Sequence, residues 1–349
     1  MCEMVCVGLN KKAMSGWGRT EGVAATFNPE YVEVLSQVTL AGHGNWVSSC
    51  EFTQDGRMLS ASWDRSIKIW DGNEPFATDT KPIHHCTLVN KLTDWLYGAT
   101  FSADNESVVA YGDNRKIFVF SSKLEELQEI TTPFAGIVQC TKHPIEPNLF
   151  GVSGRDKCGI LDITTGAFVN TIELPGAFAN CFINDGQNFI YSVEKELYLF
   201  DLRSRVNKIK LHKFTPRSSK WSTLAYSEHE QRLAGSMSNM LYSIDMRTNK
   251  VVVEDSTHTS EIINLKYSND SVALLSCARD CKAHLRGSED LVPWATFEGH
   301  KSDSVFSGAI SPDFSTIFTG TLCRFNIWKI NCSASRPRIP VKSARKLFK

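Results

Sequence analysis

Gly42-His43-Gly44-Asn45-Trp46-Val47-Ser48-Ser49-Cys50-Glu51-Phe52-Thr53-Gln54-Asp55-Gly56-Arg57-Met58-Leu59-Ser60-Ala61-Ser62-Trp63-Asp64-Arg65-Ser66-Ile67-Lys68-Ile69-Trp70-Asp71 is the stretch whose reading decides the fold of this chain. Three β runs stand out in it: Trp46–Thr53, Arg57–Ser62 and Ser66–Trp70. Gln54-Asp55-Gly56 and Asp64-Arg65 supply the turns between them. Val47, Ser49 and Glu51 alternate with Ser48, Cys50 and Phe52, the period of two that a strand imposes, and Ile67 and Ile69 alternate with Lys68 and Trp70. A meander this small cannot bury both of its faces. The unit therefore predicts copies of itself on either side.

The copies are legible. Asp94–Ser102 repeats the register of Asn45–Thr53, and Val108–Tyr111, the turn Asp113-Asn114 and Lys116–Phe120 follow it. Continuing in this way, the last residues of the third runs fall at 70, 120, 161, 200, 244, 286 and 328, spaced 39 to 50 residues apart. A Gly-His at the start, a Trp-Asp at the end and a period of ~40–45 residues make the unit similar to a WD40 repeat. The resemblance implies an all-β chain, a seven-bladed WD40-type β-propeller over residues 31–330, with blade ends near 71, 121, 162, 201, 245, 287 and 330. In that family the strand ahead of Gly-His is the outermost strand of the preceding blade. Tyr31–Leu40 alternates as a strand and has no unit ahead of it, so this N-terminal strand is expected to complete the last blade and close the ring. Residues 1–30 lack periodicity and are expected to form a flexible N-terminal arm. Residues 331–349 carry Arg336, Arg338, Lys342, Arg345, Lys346 and Lys349 with no acid, and are expected to form a basic C-terminal tail, either a targeting segment or a solvated extension.

Composition narrows the function classes. Apolar residues make up 42% of the 349, enough for a substantial core, and 38 basic residues balance 38 acidic ones. That balance disfavours nucleic acid or an anionic membrane as the general partner. No apolar run approaches the ~18–20 residues of a membrane-spanning helix. Lys11-Lys12 follows the first short apolar run where a secretory signal would place its charges ahead of it. The 11 cysteines have no framework spacing, which favours free thiols and a cytoplasmic or nuclear setting.

The resemblance also implies a hydrogen-bonded set in each unit: a His before the first strand, a hydroxyl on the second, an Asp in the next turn and the closing Trp. Here these are His43, Ser60, Asp64 and Trp70. Other units keep parts of the set. His258, Ser276 and Asp280 come with Arg286 in place of Trp, and His300 and Trp328 come with Cys323 near the Asp position. Such residues are expected to be structural, and none is expected to be catalytic. Cys50, Cys140 and Cys181 are read at one position of the first strand, where other units have Ala99, Leu224, Leu265 and Ala309, a site for small apolar groups. Cys277 with Cys281, and His84-His85-Cys86, lack the paired spacing of a zinc module, so no metal and no cofactor is expected. Gly151-Val152-Ser153-Gly154 is followed by Arg155 where a nucleophile elbow needs a second Gly. The chain is expected not to be an enzyme.

Two groups of residues point to partners. Trp63, Arg155 and Arg279 adjoin the second turn of their units, and Trp46, Trp95 and Trp221 recur ahead of the first strand, on the same face in a WD40 ring. They form a candidate partner-binding rim of the residue types that dominate interfaces. The alternative is that the three recurring tryptophans pack between blades. Separately, Phe200-Asp201-Leu202-Arg203 and Ile244-Asp245-Met246-Arg247 close consecutive units. The paired Asp-x-Arg resembles the double box by which WD40 substrate receptors dock onto the adaptor of cullin-4 ubiquitin ligases, against the alternative of solvated arginines after a strand end. The expected function is a non-enzymatic protein-interaction scaffold within a multi-subunit complex, its partners other proteins. A cullin-4 substrate receptor and a propeller enzyme are the alternatives.

Overall fold

The computed structural model of the chain describes residues 31–70, 86–89, 95–173, 177–203, 209–213, 220–298, 300 and 303–333. The N-terminal arm, His84-His85 and the tail from residue 334 lie outside them. The described residues hold strands and turns and no helix.

Strand β1 (Tyr31–Phe52) is followed by β2 (Met58–Ser62), β3 (Ile67–Trp70) and β4 (Cys86–Val89). Five four-stranded antiparallel meanders come next. They are β5 (Leu96–Phe101) to β8 (Glu126–Thr131) through β6 (Ser107–Gly112) and β7 (Lys116–Ser121), then β9 (Ile137–Lys142), β10 (Leu149–Gly154), β11 (Lys157–Asp162) and β12 (Ala167–Glu173). The third is β13 (Ala177–Ile183), β14 (Asn188–Val193), β15 (Glu196–Asp201) and β16 (Ile209–Lys213). The fourth is β17 (Trp221–Ser227), β18 (Arg232–Met237), β19 (Met240–Asp245) and β20 (Lys250–Asp255). The fifth is β21 (Ile262–Tyr267), β22 (Ala273–Ala278), β23 (Ala283–Gly287) and β24 (Pro293–Phe297). Finally β25 (Ser307–Ile310), β26 (Thr316–Gly320) and β27 (Leu322–Ser333) join β1 in one seven-stranded sheet, ordered β25-β26-β27-β1-β2-β3-β4.

That long sheet is two meanders sharing β1. The first part of β1, Tyr31 to Ala41, pairs with β27, and Val47 to Phe52 pairs with β2. The strand expected over Tyr31–Leu40 thus runs on without a break into the first strand of the opening unit. β27 likewise extends to Ser333, so residues 331–333, expected in the tail, belong to the sheet.

Local chemistry explains the hairpins. Between first and second strands a hydroxyl two residues ahead of an Asp caps the turn. Ser102 Oγ accepts from Ser107 N at 2.9 Å, Ser268 Oγ from Ala273 N at 2.9 Å and Ser311 Oγ from Thr316 N at 2.9 Å. Asp104, Asp270 and Asp313 accept from those hydroxyls in turn.

The first strands depart from simple alternation. A bulge falls between Val47 and Ser49, Leu96 and Gly98, Ile137 and Gln139, Trp221 and Thr223, and Ile262 and Asn264. The extra residue puts Val47 and Cys50 in the same core cluster, a spacing of three that strict alternation forbids. Cys140, Leu224, Leu265 and Ala99 keep the position of Cys50, packed on the preceding sheet. Cys181 and Ala309, expected at that position, instead pack against the following sheet.

The core is divided among the gaps between sheets. Leu59 and Ile67 of the opening unit meet Phe101 and Phe118, Tyr111 and Ile117 meet Phe150 and Val152, and Ile160 meets Phe189. Ile190 meets Trp221, Leu241 meets Ile262 and Leu274, Leu275 meets Ile317, and Phe318 and Phe325 meet Val47 and Trp70. Polar pins fix adjacent first strands as well. Ser49 Oγ accepts from Ala99 N at 2.9 Å, the Glu51 carboxylate accepts from Phe101 N at 3.1 Å, and the Gln139 amide accepts from Asn180 N at 3.0 Å. Lys142 Nζ meets Glu51 at 2.6 Å, so that carboxylate is neutralised where it is buried.

The expected hydrogen-bonded set is present. Trp70 Nε1 donates to Ser60 Oγ at 2.9 Å, Ser60 Oγ lies 2.9 Å from His43 Nε2, and His43 Nδ1 lies 2.8 Å from Asp64. These partners assign a neutral ring protonated at Nδ1. The incomplete sets are completed by substitutes. His300 Nδ1 donates to the Cys281 carbonyl at 3.0 Å in place of an Asp, and Arg286 Nε donates to Ser276 Oγ at 3.0 Å in place of the Trp N–H.

Burial holds His43, His258 and His300 below the ordinary histidine value of 6.5 and pushes His284 down to about 3. A folded value below the unfolded one means that the unfolded chain binds protons first as pH falls. The stabilisation is complete above about pH 6.5 and is lost as pH drops toward the folded values. Melting temperature followed by circular dichroism should therefore fall steadily from pH 7 to 4.5. His284→Leu, which removes a buried ring whose Nε2 has no hydrogen-bond partner among the described residues, should make that slope shallower; an equal slope would contradict this account.

Candidate functional site

One end of the sheets is built where the second turn of each unit meets the segment leading into its first strand. Trp63 N donates to Trp46 O at 3.0 Å, Arg155 N to Gly136 O at 3.1 Å and Arg279 N to Glu261 O at 2.9 Å. The backbone thus sets each turn residue beside the lead-in segment. In the opening unit Arg65 adopts φ 69°, and Asp64 ties the turn by accepting from Ser66 N at 2.9 Å. Trp63 is carried on this tight loop with its side chain between Trp46 and Trp95.

The aromatic residues at this end form a single row. Trp95 and Trp63 stack with centroids 5.3 Å apart and planes 1° from parallel. Trp63 meets Trp46 at 4.3 Å, and Trp46 stacks on Phe306 at 4.9 Å with an interplanar angle of 18°. The Arg279 guanidinium lies over Phe306 at 5.9 Å, with its Nε 3.0 Å from Glu261. Beside the Trp95 end, Tyr97 contacts Trp63 at 5.9 Å, and Arg155 is paired with Asp113. Trp46, Trp63 and Phe306 are half-buried and Trp95 is 52% exposed. Mutual stacking of this kind adds ~0.5–1.5 kcal/mol per pair beyond the area it covers.

The row borders a cavity of about 750 Å³ lined by residues of β1, β5, β9, β13, β17 and β21, with Trp46, Trp63, Tyr97, Arg279 and Phe306 among them. Ser48, Tyr97, Val138, Ser222 and Ile263 are the bulged residues of their strands, and all of them line it. The bulge is what turns them inward. Further along the cavity lie Glu51, Lys142 and Lys266.

Of the six residues expected on the rim, Trp46, Trp63 and Trp95 come together. Arg155 and Arg279 flank the row, each in an exposed ion pair. Trp221 is the exception and is removed from the rim. It is fully buried, packs on Tyr242 at 5.7 Å and donates from Nε1 to Lys195 O at 3.3 Å. Its pairing with Met237 puts it at the place of Val47 and Leu96, one residue further along than Trp46 and Trp95. Tyr97, Phe306, Asp113 and Glu261 were not anticipated. The signal for Tyr97 is its place immediately after the first buried residue of the strand, where a bulge re-aims the side chain.

The Asp-x-Arg pair lies at the opposite end, in the turns between third and fourth strands. Asp201 accepts from Arg203 N at 2.9 Å and Asp245 from Arg247 N at 2.9 Å, so each Asp holds its own turn. Leu202 N and Met246 N bond Gln187 O and Gln231 O, tying these turns to the neighbouring hairpins. The guanidiniums also reach their own Asp, Arg203 Nε at 3.4 Å and Arg247 Nε at 3.2 Å, with both side chains largely exposed. Among the cysteines, burial pushes the Cys50 thiol up to about 12, as befits a small apolar filler.

The parallel stack is measurable. Trp95→Ala should remove the contribution of the Trp63–Trp95 pair from the tryptophan circular dichroism, Trp63→Ala should remove it together with that of the Trp63–Trp46 pair, and Trp95→Ala, at a half-exposed site, should shift the melting temperature by only a few degrees. A Trp95→Ala spectrum that keeps every tryptophan feature of the wild type would show that the rings are not stacked in solution.

Comparison with known proteins agrees with this architecture. The family described as WD domain, G-beta repeat matches residues 35–71 and 291–329, which span the two ends of the seven-stranded sheet. Eukaryotic translation initiation factor 3 subunit I of Anopheles gambiae is 27% identical over 173 residues, covering 46% of this chain and 52% of that protein. Nuclear distribution protein nudF 1 of Talaromyces marneffei is 37% identical over 70 residues, 18% of this chain and 15% of that protein. The matched parts thus span about half the length of the first relative and much less of the second. The repeat register, the four-stranded meanders and the His–hydroxyl–Trp bonding agree with the family match, and the chain carries WD repeats in the two matched stretches.

Proposed function

We propose that the chain is a seven-bladed β-propeller closed by β1, and that it works as a non-enzymatic protein-interaction scaffold in a multi-subunit complex. The ring is supported by the core clusters: each lies between successive meanders, and the last lies between Phe318 of β26 and Val47 of β1. The observation that carries the function is the aromatic row. Three large rings, Trp46, Trp63 and Phe306, lie half-buried together at the border of a cavity, and the exposed Trp95 stacks on the end of their row. Grouped aromatics with arginines beside them are the residue types that anchor protein interfaces. The relative named as a subunit of a translation initiation factor supports membership of an assembly of several proteins.

Affinity purification of the full chain from its own cells under gentle conditions should recover a stoichiometric complex, and Trp63→Ala should lose it while remaining folded. A chain that is isolated alone would end the scaffold reading.

A second reading rests on the far end, where Arg203 and Arg247 present exposed guanidiniums at matching turns of consecutive meanders. Docking on a cullin-4 ligase adaptor through that pair requires Arg203→Ala with Arg247→Ala to abolish co-purification of the adaptor without change in melting temperature. Wild type that never recovers the adaptor removes this reading.

A further inference from the structure

We infer that the outer face of Trp95 is a subsite for the guanidinium of an arginine carried by a protein partner. The inference rests on the scaffold reading above and names the chemistry of what that face takes.

The aromatic row is a column with unlike ends. From one end it runs Arg279, Phe306, Trp46, Trp63 and Trp95, at successive separations of 5.9, 4.9, 4.3 and 5.3 Å. At the first end a guanidinium of the chain itself covers the last ring, and the Glu261 carboxylate holds that guanidinium at 3.0 Å. At the other end Trp63 covers one face of the Trp95 indole and the residue remains 52% exposed. An indole face carries negative charge density that attracts a cation, and a flat guanidinium fits it better than a compact ammonium.

A carboxylate stands at this end too. Asp113 follows Gly112, and Gly112 is the register partner of Leu96 and packs so closely on the Trp95 carbonyl that a Cβ would clash there. Its carboxylate is 42% exposed and bonded by Arg155, which lies over no ring among the described residues. Both ends therefore hold a ring and a carboxylate, and among the described residues only one has its stacked guanidinium built in. A nucleobase is the competing occupant of a bare indole face. Arg155 and Arg279 are each paired with a carboxylate, Asp113 and Glu261, so the column's border offers its phosphates no unpaired arginine, and the chain as a whole carries a formal net charge of +0.

The test is selection of random linear peptides displayed on phage against the full-length protein, followed by fluorescence anisotropy with the tightest peptide. The recovered peptides should be enriched in arginine over lysine. Trp95→Ala should weaken the chosen peptide about tenfold, and Trp95→Phe should retain most of the binding. Replacing the peptide's arginine by citrulline, equal in shape and uncharged, should cost a similar factor on wild type and little on Trp95→Ala. Peptides without arginine, no peptides at all, unchanged binding to Trp95→Ala, or preferential binding of an oligodeoxythymidylate would each overturn the subsite. If the complex purified with wild type is recovered equally with Trp95→Ala, the subsite falls and the scaffold stands. If wild type recovers no complex, the scaffold reading has failed on its own account.

Discussion

A four-stranded meander has two apolar faces and no means of covering either one by itself, and the rest of this structure follows from that need. Each gap between meanders is filled from both sides. Phe101 and Phe118 meet Leu59 and Ile67 in one gap, and Trp221 meets Ile190 in another. Burying one such side chain is worth ~1.5–3 kcal/mol, so the gaps supply most of the stabilisation that isolated hairpins lack. Apolar contact alone leaves neighbouring meanders free to slide. The bonds from Ser49, Glu51 and Gln139 to the backbone of the next first strand remove that freedom and so fix where the residues at the cavity border stand.

The hydrogen-bonded sets show which part of a repeat is required. Ser60, Ser276 and Thr319 each accept from a buried N–H at 2.9–3.0 Å, given by Trp70, Arg286 and Trp328 respectively. The donor is kept while the residue carrying it changes. Arg286 brings a charge into a fully buried site, which Asp255 balances at 2.9 Å. Removing one member of such a pair is far more damaging than the pair itself is stabilising. This also explains why a repeat can lose its Trp or its Asp and still hold its shape.

Much of the fold was legible because the period and the turn chemistry are local. Six third strands end at Trp70, Ser121, Asp162, Asp201, Asp245 and Gly287, within a residue of the positions read from the sequence, whereas β27 runs on past Trp328 to Ser333. The fourth strands were harder to see. β12 alternates between exposed and half-exposed positions along its whole length, and none of its residues is fully buried. The candidate site was only partly legible. Trp46, Trp63 and Trp95 were found from their register, but Trp221 was misplaced by one residue, and Tyr97 and Phe306 were passed over. In all three the deciding feature is the path of the first strand at its start. A bulge is a property of how two strands pair, and no pattern within one strand announces it.

The sharing of β1 between two meanders has a consequence for how the molecule is made. Thr39 and Asn326, joined by a side-chain hydrogen bond across β1 and β27, are 287 residues apart in the chain. On the ribosome the first of these strands emerges long before the second exists. Every hairpin between them can form as it leaves the exit tunnel, but this edge must wait, unpaired and open to mispairing, until β27 has been made. The rate at which the nascent chain becomes native is then set by one encounter between distant segments, and slow decoding near residue 326 would prolong exposure of a strand made 287 residues earlier.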